Sequence, residues 1–260
     1  MGKKEKYEEY NGLFHNGTDY AVYHMDRKEI VIGALAGGLA GGIVVMIFFG
    51  LWFLTILSIP LCAIAGIVIY KNMLLNKRRS RLVVQFRDML ESVSSSLGSG
   101  RNVKDAFLGA YTDMQAQFGE NAEIVDELHI IKSGIASNIN MEVLLQDFAR
   151  RSHDENVQNF ADVFSVANRR GGNIRQIIFE TKDVISEKIM VEQDIQTVIS
   201  GKKNELNIMM VLPLIVVNQT KAMQGGASAD IVFNLLVKLA AFAMFIAAYI
   251  IGRKMMKIEV

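Results

Sequence analysis

"ANRRGGNIRQII" (residues 167–178) sets two adjacent glycines and two arginines inside a region otherwise rich in helix formers. Glycine pairs beside basic groups either cradle phosphates or end one helix and begin another. A P-loop needs a strand before it and Gly-Lys-Ser/Thr at its close, and a dinucleotide fingerprint needs three spaced glycines after a strand. Here an apolar helical stripe precedes and Asn-Ile-Arg follows, so Gly171 and Gly172 read as a helix boundary. Glycine suits the left-handed position after a last helical turn, and Asn173 is a favoured N-cap. Arg169 and Arg170 fall where a helix C-terminus favours cations.

The pattern recurs upstream. "GSGRNVKDAF" (98–107) and "SNINMEVLL" (137–145) also run from small residues through Asn to an apolar residue that opens a new stripe. Asn102, Asn140 and Asn173 lie 38 and 33 residues apart, as in helical hairpins built to one plan. Tetratricopeptide-like repeats would carry a Trp/Leu-Gly/Tyr signature, which is missing. Between the breaks, Leu82, Phe86, Met89, Leu90, Val93 and Leu97 share one helix face. So do Val103, Ala106, Phe107, Ala110, Tyr111 and Met114, then Ile124, Leu128, Ile131 and Ile135, then Val157, Phe160, Phe164 and Ala167. Residues 71–204 contain no proline and no sustained period-two alternation, so the expectation is an all-α bundle.

Outside this region the chain is oily. Ile30 to Tyr70 is a run of 41 residues without Asp, Glu, Lys, Arg or His. As one helix it would reach roughly 60 Å, about twice a bilayer's ~30 Å hydrocarbon core. Two transmembrane spans fit, Ile30–Phe49 and Leu51–Tyr70, with Phe48, Phe49, Trp52 and Phe53 clustered at the turn near Gly50, as suits a membrane–water boundary. Pro60 is tolerable within a span. The run is too long for the apolar region of a cleavable signal, and mostly polar residues precede it. Cys62, the sole cysteine, allows no intramolecular disulfide. Ile231–Gly252 is a further span, interrupted by Asn234 and Lys238. "LNIMMVLPLIVV" (206–217) is short and reads as a third span, with an in-plane or re-entrant segment as the alternative.

Positive charge sets the orientation. Lys3, Lys4, Lys6, Arg27 and Lys28 precede the first hairpin, and Lys71, Lys77, Arg78, Arg79 and Arg81 follow it. Arg253, Lys254 and Lys257 follow the last span, whereas the 218–230 loop holds only Lys221. Both termini and the middle region are therefore expected in the cytoplasm. The expected organisation is a tail (1–29), a two-span transmembrane hairpin (30–70), a helical-bundle domain (71–204), a second hairpin (205–252) and a basic tail (253–260). Net charge is +6 over residues 71–87 and −7 over residues 88–205, which puts the basic collar at anionic headgroups and argues against nucleic acid as a partner. From Asn173 the helical pattern runs past Gly201 into the third span, a mechanical link between bundle and membrane.

Chemistry-bearing residues form no constellation. His15, His24, His129 and His153 are scattered without ligand spacing, and Ser94–Ser96 lacks a nucleophile elbow. Asp154 and Glu155 read as a solvated helix start. No metal, cofactor or catalytic site is expected, and the chain reads as a non-enzyme. Gly33, Gly37 and Gly41 repeat a G-x-x-x-G spacing, with Gly38 and Gly42 on a neighbouring face. Such glycines allow close helix approach, either to the chain's own second span or to another subunit. Lys238 either snorkels toward Asp230 or makes a polar contact in a protein interior.

The ordered set "SSLGSGRNVKDAF", "GIASNINMEVLLQDFARR", "FADVFSVANRRGGNIRQII", "GKKNELNIMMVLPLIVV" and "GRKMMKIEV" resembles the type II secretion system F-domain family, over about residues 81–260. A single such domain between two hairpins looks like the TadB/TadC branch that serves Flp (Tad) pili, and the closing Ile258-Glu259-Val260 favours the TadB side. The resemblance implies a platform protein of the inner (plasma) membrane. Its cytoplasmic domain would engage a hexameric secretion ATPase, and its spans would hand pilin subunits to a growing fibre. A paralogous platform protein or further copies of the chain would complete the assembly. Within that reading the turns at Gly98, Gly100 and Arg101 and at Arg169, Arg170, Gly171, Gly172 and Asn173 are candidate partner contacts. The competing classes are a transporter or channel subunit and a four-span signalling receptor.

Overall fold

The computed structural model describes residues 10, 12–15, 17–49, 52–170, 172–223, 239–240, 242–248 and 250–252. Among them every regular element is a helix: α1 (Arg27–Phe49), α2 (Trp52–Gly98), α3 (Val103–Phe118), α4 (Glu123–Ala136), α5 (Met141–Ser152), α6 (Glu155–Arg170) and α7 (Ile174–Met223). The chain divides into two compact units, residues 1–24 with 72–190 and residues 25–71 with 191–260.

In the first unit α3 packs on α4, α4 on α5 and α5 on α6. Neighbours run antiparallel, as short connections require. Ser92 of α2 donates to Asp113 of α3 at 2.6 Å, and Gln117 donates back to Asp88 at 3.1 Å. Gln146 of α5 meets Asp162 of α6 at 2.8 Å. The expected stripes form the core: Leu82, Phe86, Met89, Leu90, Val93 and Leu97 are buried, as are Val157, Phe160, Phe164 and Ala167. Phe86 joins three helices, meeting Phe148 at 5.9 Å and Phe160 at 5.6 Å edge to face, a geometry that aromatic quadrupoles favour. Val103, Tyr111 and Ile135 pack at the margin of this core, half-buried.

Local chemistry sets the helix ends. Gln85 of α2 accepts the Ile124 N–H at 3.1 Å, which satisfies an N-terminal amide of α4, whose own N-cap Ala122 has no side-chain acceptor. Asp154 caps α6 by accepting the Asn156 N–H at 2.9 Å, so its carboxylate is a cap.

Residues 10–24 follow no helical period, and the sequence offered nothing for them beyond a tail. In the structure the described ones among them lie against α4, α5 and the Arg78–Arg79 part of α2. Tyr20 is fully buried, and its N–H donates to the Arg151 carbonyl at 2.9 Å.

In the second unit, α1 and the first part of α2 meet backbone to backbone. A Cβ added at Gly37 would stand 2.6 Å from the Gly66 Cα and from the Cys62 carbonyl oxygen. Gly33 faces Ile67 and Tyr70, Gly38 faces Ile59 and Ala63, and Gly42 faces Ile59 and Thr55, so partner numbers fall as glycine numbers rise and the two segments run antiparallel. Arg27–Ile47 and Trp52–Gly98 are each long and apolar enough to cross a membrane, with 22% and 0% of their most apolar windows buried. Phe49 meets Phe242 edge to face at 5.6 Å, at the start of a shorter apolar helix, Phe242–Gly252. The first eight residues of the expected last span, 231–238 with Lys238, together with Asp230 and the closing Ile258-Glu259-Val260, lie outside the described residues.

Candidate partner-binding end of the helical body

The three recurrent breaks share one hydrogen-bonding plan. At the first, the Arg101 N–H returns to the Ser96 carbonyl at 3.2 Å and the Gly100 N–H to Leu97 at 3.1 Å, with Gly100 at φ +90°. At the second, the Ile139 N–H returns to Gly134 at 2.9 Å and the Asn138 N–H to Ile135 at 3.0 Å, with Asn138 at φ +58°. At the third, the Gly172 N–H returns to Ala167 at 2.7 Å. The first two are Schellman closures, in which amides just past a helix satisfy its last carbonyls, and the third shows the same outer bond. In each the N-cap Asn follows the outermost donor: Asn102, Asn140 and Asn173.

Alternate turns of an antiparallel bundle lie at the same end, so these three do. Two side-chain bridges tie them together. Arg175, at the start of α7, donates through Nη2 to the Leu97 carbonyl at the end of α2, at 2.5 Å. Arg169 Nε, at the end of α6, pairs with Glu142 Oε2 at the start of α5, at 3.0 Å. Glu142 also accepts from Asn168 at 2.8 Å and Ser165 at 3.3 Å. Those hydrogen bonds, Asn168's first and then Arg169's, hold the Glu142 carboxyl below its ordinary range.

This end is basic although residues 88–205 together carry a net charge of −7. Arg101, Lys104, Arg169, Arg170 and Arg175 are all exposed. Of the nearby acids, Glu142 is occupied by Arg169, and Asp105 is held in a reciprocal cap with Asn102 (2.9 and 2.7 Å). A side chain at Gly98 or Gly100 would meet nothing within 4 Å, so the first turn projects freely. The arrangement presents a positively charged surface. Of the sequence-predicted contacts, Gly98, Gly100, Arg101, Arg169, Arg170, Gly172 and Asn173 come to this one end, and Gly171 lies outside the described residues. Gly33, Gly37, Gly38, Gly41 and Gly42 belong to the other unit, and α2 occupies their faces.

Sequence reasoning missed an ionic cluster at the opposite end of the bundle. Arg151, 1% exposed, is bidentate to Glu127 (Nη1–Oε1 and Nη2–Oε2, both 2.6 Å) and reaches Asp147 Oδ2 through Nε at 2.9 Å. The Tyr20 hydroxyl donates to Glu127 Oε1 at 3.0 Å, and the Tyr10 hydroxyl and Leu13 N–H donate to Asp147 Oδ1, each at 3.0 Å. Burial raises the Glu127 carboxyl against the opposing pull of Arg151, and burial followed by the Glu127 charge holds the Tyr20 phenol well above its ordinary value. Burial opposes charge on Arg151, but the two carboxylates more than offset it and raise its pKa.

A cleft of about 230 Å³ lies between residues 10–13 and the α5–α6 pair, lined by Tyr10, Leu13, Val143, Arg150 and Arg169 among others. It is smaller than the ~300–1,000 Å³ usual for small-molecule sites. Among the described residues no three His, Cys, Asp or Glu side chains are grouped to hold a metal ion. Comparison of the chain with protein-family models, with curated proteins and with solved structures finds no match in any of the three.

Proposed function

We propose that the protein is an inner-membrane platform of the type II secretion F-domain class, serving assembly of a Flp (Tad) pilus. In this reading α1 and the first part of α2 form a transmembrane hairpin, the chain crosses the membrane four times, and both termini and the helical body are cytoplasmic. The body transmits the work of a hexameric secretion ATPase to pilin extraction, and the chain itself is not an enzyme. The observation that carries the reading is the convergence of three turns, each closed by an N–H returning to the carbonyl five residues back, with five exposed cations, at one end of an all-helical body. The apolar faces of α1 and α2 support it. Leu35, Leu39, Ile43, Leu57 and Leu61 are 58–75% exposed, a surface that lipid covers readily and water does not. α7 runs as one helix from the basic end to Met223, which supports a rigid link along the chain.

Deleting the gene should abolish surface pili while prepilin levels stay intact; intact pili would overturn the platform role. Charge reversal of Lys104 and Arg170, which hold no structural bond described above, should weaken copurification with the ATPase by about five- to thirtyfold, on the order of 0.5–1 kcal/mol for each rim charge. Undiminished recovery would remove the basic end as the contact. A flexible glycine-rich insert near Gly201 should block fibre assembly without loss of folding; normal assembly would count against the rigid link.

A further inference from the structure

We propose that residues 10–24 form a detachable strap, which docks on and lifts off the α4–α5 pair as a unit while the helices stay folded. The proposal does not rest on the platform reading. Its first support is that the receptor is electrically complete without the strap. Arg151 spends both terminal nitrogens on Glu127 and its Nε on Asp147, all within α4 and α5. Among the described residues, the strap's one bond to that guanidinium, from Nη1 to the Thr18 carbonyl, is 3.5 Å long. Lifting the strap therefore leaves no unpaired buried charge.

The second support is what holds the strap. Its bonds to the body come mainly from single donors and acceptors: the hydroxyls of Tyr10 and Tyr20, the N–H groups of Leu13 and Tyr20, and the Tyr20 carbonyl, which accepts from Arg79 Nε at 3.0 Å. Asp19 adds a 3.0 Å pair with His153. Tyr20 is the buried apolar anchor, capped by the Arg78 guanidinium 4.8 Å from its ring, while Tyr10, Leu13 and Phe14 stay 38–44% exposed. With Tyr20 as its fully buried ring, Ala21, Val22 and Tyr23 half-buried and its other described contacts polar, the segment detaches at far lower cost than a core helix.

The third support is local fit. A Cβ at Gly12 or Gly17 would come 2.8 Å from Arg151 Nε, so the strap's backbone lies directly on the guanidinium and its docking is stereospecific. The uncovered site would present the Glu127 and Asp147 carboxylates, the Arg151 carbonyl and a slot for one aromatic ring. Its ligand class is an extended, tyrosine-bearing peptide with free N–H groups.

The test uses the full-length chain in detergent or nanodiscs. By hydrogen exchange, the Leu13, Tyr20 and Ala21 amides should exchange at least about tenfold faster than those of Leu128 and Leu145, as in sub-global opening. Equal rates would mean that the segment leaves only on global unfolding, and would overturn the proposal. In Tyr20→Ala the strap amides should lose protection while Leu128 and Leu145 keep theirs; collapse of both sets would overturn it. A labelled synthetic peptide of residues 10–24 should bind the Tyr20→Ala chain saturably and the wild-type chain far more weakly. A peptide carrying the same Tyr20→Ala change should not bind. Equal binding of both peptides, or none to the variant chain, would count against the strap.

Discussion

Arg151 stands on the buried face of α5, three residues after Phe148 and seven after Leu144, where a helix core expects an apolar side chain. Glu127 breaks the α4 stripe in the same way, between Ile124 and Ile131. Taken separately each is one charge on a helix; taken together, two opposite charges at core positions signal a buried pair, since a lone buried ion is prohibitively costly. Arg151→Met should strand Glu127 and Asp147 and lower stability by about 3–5 kcal/mol, whereas adding Glu127→Met should recover much of the loss. Denaturant melts of the three chains check this, and an additive double variant would refute the coupling. Tyr20 yields a second test at this scale. Its folded pKa is raised above the ordinary 10.0, so its contribution to stability is full below that value and is lost as pH climbs through the folded one. Wild type and Tyr20→Phe should therefore show equal phenolate absorbance at about pH 11, one unit above the ordinary tyrosine value. A one-tyrosine excess in the wild type would contradict the burial argument.

At the scale of elements, the turn pattern was legible because glycine, or asparagine in left-handed geometry, followed by an asparagine cap leaves a mark in the sequence. The pattern did not reveal which caps bond. Asn102 accepts the Asp105 N–H at 2.9 Å, while Asn140 makes no side-chain cap bond. Asn102→Ala should then cost about 1 kcal/mol. Asn140→Ala should stay within about 0.5 kcal/mol. Thermal melts that rank them the other way would show that the caps are misread. The glycine spacing of α1 was likewise legible, and geometry resolves its two readings toward the chain's own second helix. It also separates the glycines. A methyl at Gly37 would meet the Gly66 and Cys62 backbone at 2.6 Å, whereas one at Gly42 would meet the Ile59 side chain at 3.5 Å. Gly37→Ala should destabilise the α1–α2 contact by about 1–3 kcal/mol. Gly42→Ala should be tolerated, and equal melting of the two in detergent would refute the close approach. The strap left no such mark. It has no period, and its bonds join residues as far apart as Tyr10 and Asp147, 137 positions along the chain.

At the scale of the whole molecule, alternation does most of the organising. Once the helices run antiparallel, equal breaks at every second connection must share an end, and their basic groups gather there without any single residue announcing it. In the proposed topology, charge asymmetry across the apolar helices would put that end on the cytoplasmic side, because short segments rich in Lys and Arg stay there. This makes a prediction that composition alone cannot satisfy. In a chain with Cys62→Ala, a cysteine introduced at Ser99 or Ser137 sits in turns of the basic end and should react with a membrane-impermeant maleimide only after cells are permeabilised. A cysteine placed among residues 218–230, which the proposed topology puts outside, should react in intact cells. Labelling of Ser99→Cys from outside would invert the topology and, with it, deny the basic end to any cytoplasmic ATPase. Labelling of both sites only after permeabilisation would instead leave the basic end in place and remove the second hairpin.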